Sequence, residues 1–246
     1  MPVRVAVDPA VLHDFPDMQV RFVVARGVRN DEAWPAVASA VEQFEREVAT
    51  GEWVAPGEES PSIASWHAAY RKFGTNPRRA RPSVEALGRR VAKSGVLPRI
   101  TPAVNAYNLV SLRYGVPAGA FDLDALRASV EIRPARDNDA FTPLGEPDEQ
   151  ATPKPGEIVY AQDTEVLTRH WNHRDSDLTK VTAQSRNVVF MVERVSAEAT
   201  PNERLAAAQA ALAELVAPFA AEVTLAVIGP ENPAAELGAV AAGTGR

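Results

Sequence analysis

The 246-residue chain contains no cysteine. That excludes disulfides, cysteine-ligated zinc, iron–sulfur clusters and thiolate catalysis. Histidine is scarce, with four residues, His13, His67, His170 and His173. Gly-rich phosphate loops, GxSxG elbows and HExxH pairs are absent, which removes the commonest signatures of nucleotide binding, serine hydrolysis and zinc hydrolysis. No run approaches the roughly 18 apolar residues that a membrane span requires. The opening MPVRVAVDPAV has no basic stretch followed by a long apolar one, so no signal peptide is expected and a cytoplasmic location is. Glycine is less frequent than proline, 14 against 20, which predicts stiff connections.

What is present is an ordinary globular composition, 46% hydrophobic and 24% charged, enough for a sizeable core. The formal charge is −6, but it is unevenly distributed. Residues 71–99 carry Arg71, Lys72, Arg78, Arg79, Arg81, Arg89, Arg90, Lys93 and Arg99 against a single acid, Glu85. That segment is about +8 and the remainder about −14. A basic patch on an acidic protein can steer a polyanion to one face. The same pattern also describes a solvated helix face with structural ion pairs.

Periodicity predicts strands at 3–8, 19–28, 130–134, 158–161, 166–171, 186–195 and 222–228. Helices are expected at 32–48, with Asn30-Asp31 as cap, and at 62–73, 82–93, 101–114 and 202–216. Residues 135–155 read as a long polar loop. The order is strands, a helical middle, then mostly strands, which argues an α+β fold. One domain over 1–228 and a flexible tail over 229–246 are expected.

Three polar clusters stand out. Arg71-Lys72-Phe73-Gly74-Thr75-Asn76-Pro77, continuing to Arg81-Pro82-Ser83, joins two helices by a donor-rich turn. It suits phosphate or carboxylate docking, or is a capped corner. Tyr107-Asn108 and Ser111 lie inside a helix where Asn is a poor former, as a buried strut or a ligand reader. Asp163 and then Trp171-Asn172-His173-Arg174-Asp175-Ser176 follow a strand. That loop could read an ammonium with Asp175 and a carbonyl with Arg174 or Asn172, or it could be a turn closed by an Arg–Asp pair. His170 and His173 are three apart, a spacing compatible with a metal, but the expectation is no metal and no cofactor.

In this order the clusters resemble the B3/B4 domain, the editing module of the phenylalanyl-tRNA synthetase beta subunit, which also exists as freestanding proteins. The matching runs are Arg71 to Ser83, Tyr107 to Ser111, Pro117-Ala118-Gly119-Ala120-Phe121-Asp122, and Gly156 to Thr179. The resemblance implies a single three-layer α+β domain with an unusual β-sandwich core and flanking helices. It implies hydrolysis of the ester between a wrong amino acid and the terminal ribose of a tRNA. It thus implies tRNA as partner; neither DNA nor a membrane is expected, and the oligomeric state is left open with a monomer favoured. Where the synthetase carries a proofreading His, this chain has Gly119, so specificity for tyrosine does not carry over. Freestanding relatives include deacylases that remove canavanine from arginine tRNA, so an arginine-like or other polar residue is a candidate substrate.

The residues expected to act are Asn108, Ser111 and Asp175 in orienting water, and Tyr107, Gly119, Trp171, Asn172, Arg174 and Ser176 in holding substrate. Arg71, Lys72, Asn76, Arg78, Arg79 and Arg81 are expected to hold tRNA. The alternative is a non-catalytic module that binds an RNA end or an amino-acid-like ligand.

Overall fold

Two strands are apolar on both faces, and this decides the layering. In β2 (Gln19–Arg26), Val20, Phe22 and Val24 alternate with Val23 and Ala25. In β9 (Asn187–Arg194), Val189 and Met191 alternate with Val188, Phe190 and Val192. A strand of this kind must be covered on both sides. In the computed structural model, which describes residues 2–239, it is. The set that includes Phe22 and Met191 packs against a second sheet, and the set that includes Val23 and Phe190 packs against helices. The molecule is therefore an α+β stack of sheet, sheet and helices.

The four-stranded sheet has the order β10 (Glu222–Ile228), β2, β9 and β3 (Ala118–Asp122), all antiparallel. The larger sheet runs β11 (Ala234–Ala239), β1 (Pro2–Val7), β4 (Val130–Pro134), β6 (Ile158–Gln162), β7 (Glu165–Arg169) and β5 (Ala140–Phe141). A two-residue strand, β8 (Arg174–Asp175), pairs with β7. The helical layer draws on α2 (Pro35–Thr50), α5 (Pro102–Tyr114) and α6 (Asn202–Val216). Between the sheets, α3 (Pro61–Lys72) contributes Trp66 and Tyr70 to the interior. It is followed by α4 (Ser83–Ser94).

Proline explains several helix starts. α1 (Pro9–Asp14), α2, α3 and α5 each begin on one, where the ring's fixed φ suits the first turn and the missing N–H is not needed. Thr101 caps α5 as expected, accepting from the Val104 amide.

Two expectations are corrected, and further elements went unpredicted. The residue preceding α2 is Trp34, not Asn30-Asp31. Asn30 is instead buried, accepting from the Ala103 amide and donating to the Thr182 carbonyl, so it serves α5. α1 and β3 were not anticipated, because both are too short for periodicity to register. The composition-based tail begins too early: Ala234–Ala239 forms β11 and pairs with β1, and residues 240–246 lie outside the described residues.

Candidate functional site

The site grows from the β7–β8 hairpin. Thr168 lies opposite Asp175 on one side and opposite Tyr160 of β6 on the other, so the three side chains form a cross-strand row. The Thr168 hydroxyl donates to Asp175 Oδ1 at 2.8 Å. The loop between the strands holds two residues in the left-handed region, His170 at φ 47° and Trp171 at φ 68°. A tryptophan there is strained. Its surroundings hold it: the indole meets Phe15 and Trp66 edge-on at 5.1 and 5.3 Å. Trp171 Nε1 donates to Glu193 Oε2 at 2.8 Å, and the Tyr160 hydroxyl donates to the same oxygen at 2.8 Å. Glu193 sits at the end of β9 and is buried.

A polar cavity of about 50 Å³ opens between the sheets here, lined by Ser83, Gly119, Tyr160, Thr168, Trp171, Asn172, His173, Asp175 and Glu193, among others. From the other side, an apolar cleft of about 180 Å³ reaches Asp175 and Ala120 past Val104, Tyr107, Leu144 and Val181. A Cβ built at Gly119 would meet only the Met191 side chain, at 3.9 Å, so that wall is open. A wider depression of about 600 Å³ near Arg21 and Arg194 lies apart from this group. There Arg21 is satisfied by Gln19, Gln209 and Asn202.

The two carboxyls differ in proton affinity. Burial pushes Glu193 up to about 8, with the Tyr160 and Trp171 bonds pulling only partly back. Burial also pushes Asp175 up to about 6, offset by the Thr168 hydroxyl. Near neutrality Glu193 is mostly the acid and Asp175 mostly the anion. Both donors to Glu193 use Oε2, which places its proton on Oε1.

Two further polar atoms at this cavity, Asn172 Nδ2 and Ser83 Oγ, are buried without a protein partner, as is Thr179 Oγ1 in the apolar cleft. The Asn172 amide approaches Glu193 closely enough to favour its anion, yet forms no well-shaped bond to it. Its other end is fixed, since the Tyr70 hydroxyl donates to Asn172 Oδ1 at 2.8 Å.

The α3–α4 corner is stitched to this hairpin. The Ser83 amide donates to the Asn172 carbonyl at 3.1 Å, the Thr75 hydroxyl meets His170 Nδ1 at 2.9 Å, and His173 Nδ1 meets the Arg81 carbonyl at 2.8 Å. The basic corner is thus fastened directly to the loop that lines the cavity.

A model of the B3/4 domain matches residues 65–210. The chain belongs to the B3/4 domain family. No curated protein matches it. Among solved structures, it is similar to an N-terminal fragment of the phenylalanyl-tRNA synthetase beta subunit from Pyrococcus horikoshii. The identity is 16%, the match covers 91% of this chain and 50% of that one, and the TM-score is 0.47. The chain therefore spans about half the length of that fragment.

Within this B3/4 domain, Gly119, Trp171, Asn172 and Asp175 meet at the polar cavity, and Tyr107 lines the apolar cleft. Four expected residues do not reach the cavity. Ser111 is buried and its hydroxyl donates to the Val116 carbonyl at 2.7 Å, closing the end of α5. Asn108 is half-buried and lines neither space. Ser176 donates to the Thr142 carbonyl, and Arg174 reaches away to Glu146 at 2.9 Å. Asp175 is therefore not neutralised by its neighbour.

At the corner, Arg71, Asn76 and Arg78 line an open groove of about 520 Å³. Arg79 is exposed, Lys72 pairs with Asp14, and Arg81 lies 3.3 Å from buried Glu85. Sequence reasoning missed Glu193, Tyr160 and Thr168, which look like ordinary strand residues. It also gave His173 no role, although His173 lies inside the polar loop that was singled out. The rings of His170 and His173 are 5.7 Å apart. Among the described residues no group of three or more His, Asp or Glu side chains converges as a metal site.

Proposed function

We propose that this B3/4 domain is a trans-editing hydrolase that cleaves the ester of a mischarged aminoacyl-tRNA. One observation carries the reading. Two unpaired buried donors, Asn172 Nδ2 and Ser83 Oγ, share a cavity with an ionised and a neutral carboxyl. Unpaired buried donors cost about 1–3 kcal/mol each, and an ester's developing oxyanion would satisfy them. The Asp175 carboxylate pairs with the substrate ammonium, or with a cationic side chain. Glu193, as the acid, donates from Oε1 to a substrate oxygen. The ester is already activated, so position and electrostatics carry most of the rate. The RNA end reaches the cavity across the corner bearing Arg71, Arg78 and Arg79.

Gly119 leaves the family's His position open, and Asp175 lacks an internal cation. A polar or cationic noncognate residue is therefore preferred over tyrosine, since an uncharged group would leave the carboxylate desolvated and unpaired. Single-turnover deacylation of tRNAs carrying canavanine, tyrosine and a small neutral residue tests this. Canavanine should be removed fastest, and Asp175→Asn should slow it by about 10-fold or more, with less effect on the neutral substrate. Equal rates on all three would remove the charged-pocket argument. Tight binding with no hydrolysis of any would establish the binding-module alternative instead.

A further inference from the structure

The reading above engages the Asp175 carboxylate with the substrate cation and leaves the proton of the attacking water without an assigned acceptor. Gly119 removes the one imidazole that the family resemblance would put there. Another ring lines the same cavity. His173 Nδ1 lies 2.8 Å from the Arg81 carbonyl. A carbonyl can only accept, so Nδ1 must carry the proton. In the neutral ring, Nε2 is then an unprotonated lone pair. Nε2 meets no protein partner among the described residues.

We infer that His173 is the general base of this site, and the inference rests on the deacylase reading. As the water oxygen bonds to the ester carbonyl carbon, a water proton passes to His173 Nε2, while Nδ1–H stays on the Arg81 carbonyl. When the bond from carbon to the ribose oxygen breaks, that proton passes to the leaving oxygen. The products are a free amino acid and an uncharged tRNA end, and the ring returns to its starting form.

The surroundings keep the ring neutral. Burial lowers its proton affinity, and Arg169 and Arg174 oppose protonation, while Glu157 and the bond to the Arg81 carbonyl favour it. The His170 ring stands 5.7 Å away, its own value pushed down to about 4 by burial. Across the cavity are Asp175 and Glu193. Arg81 is thereby a positioning residue: its carbonyl sets the tautomer, and its side chain is held near Glu85. Glu85 in turn receives His67 Nε2 at 2.7 Å. His170 does not compete, because its Nδ1 is engaged by Thr75 and it does not line the cavity.

Single-turnover rates from pH 5 to 8, together with nitrogen NMR of the histidine rings, test this. The wild type should show a rate that rises with pH, with an apparent pKa below about 6.5, and that falls again towards pH 8 as Glu193 ionises. The limb should persist in Asp175→Asn. His173→Gln should lose about 100-fold or more, and when combined with Asp175→Asn it should lose the rising limb as well, while His170→Gln keeps both. The NMR should show the His173 proton on Nδ1. A His173→Gln enzyme within threefold of wild type, or a proton on Nε2, overturns the assignment and leaves the editing reading intact. A wild type that hydrolyses none of the mischarged tRNAs overturns both. If His173→Gln does not fold, the tautomer and the wild-type and Asp175→Asn profiles still decide.

Discussion

At the scale of single residues, the site depends on side chains whose charge state the fold has altered. Glu193 shows this most directly. Its carboxyl, pushed up to about 8 by burial, binds a proton in the folded state that the unfolded chain has already released above about pH 4.3. Stability therefore falls as pH rises, until the folded group has also ionised. Asp175 adds the same sign up to about pH 6, while His170 and His173, whose values are lowered, act oppositely below about pH 6.5. The window from pH 6.5 to 8 isolates Glu193. Denaturant titrations there should lose stability by up to ~1.4 kcal/mol per pH unit. Glu193→Gln, which can still accept from Tyr160 and Trp171, should flatten that slope and be the more stable protein at pH 8. An unchanged slope would mean that Glu193 is ionised throughout. Trp171 is the structural counterpart: its φ of 68° is sustained by the same Glu193 that accepts its indole N–H.

At the scale of elements, the strand that composition assigned to a tail is part of the core. β11 closes the edge of the larger sheet against β1, and Leu237 is buried among Val3, Val5 and their neighbours. Leu237→Ala should cost about 2–5 kcal/mol, the usual range for emptying a packed leucine site. A chemical denaturation midpoint equal to wild type would return this segment to the status of a tail. The α3–α4 corner makes a different use of a short connection. Gly74 takes φ 78° to reverse the chain, and Thr75, Arg81 and Ser83 then fasten the loop of the β7–β8 hairpin. The corner's bonds thus fasten the loop that carries Trp171 and Asn172.

Over the whole molecule, a chain of net charge −6 places nine of its 26 Lys and Arg residues between 71 and 99. Ion pairing then divides them. Lys72, Arg81 and Arg99 have close acidic partners, and Arg78 and Arg89 have more distant ones at 3.6 and 3.7 Å. Arg71 and Arg79 are exposed with no ion pair among the described residues. tRNA binding should weaken steeply with salt. Replacing Arg71, Arg78 and Arg79 together by Ala should lower the log–log slope by roughly 2 to 3 units, while replacing Lys72 changes it less. Filter binding across a salt series measures this, and an unaltered slope would move the RNA to another face. The sequence alone determined most of the long elements, because β2 and β9 are β-branched apolar runs, α5 starts on a Thr cap with Pro behind it, and α6 is an Ala-rich amphipathic run. It also marked Trp171, Asn172 and Asp175, because a densely polar run between apolar elements is visible in one dimension, whereas Gly119 was marked by the family resemblance alone. It could not separate Asp175, which faces the cavity, from Arg174 and Ser176 beside it, because strand alternation and a left-handed loop choose which side chain points inward. Nor could it single out Glu193 or His173, whose chemistry comes from neighbours far along the chain. Only the tertiary structure buries the one carboxyl under Tyr160 and Trp171 and sets the other ring's proton with the Arg81 carbonyl, since desolvation and hydrogen-bond partners are properties of packing.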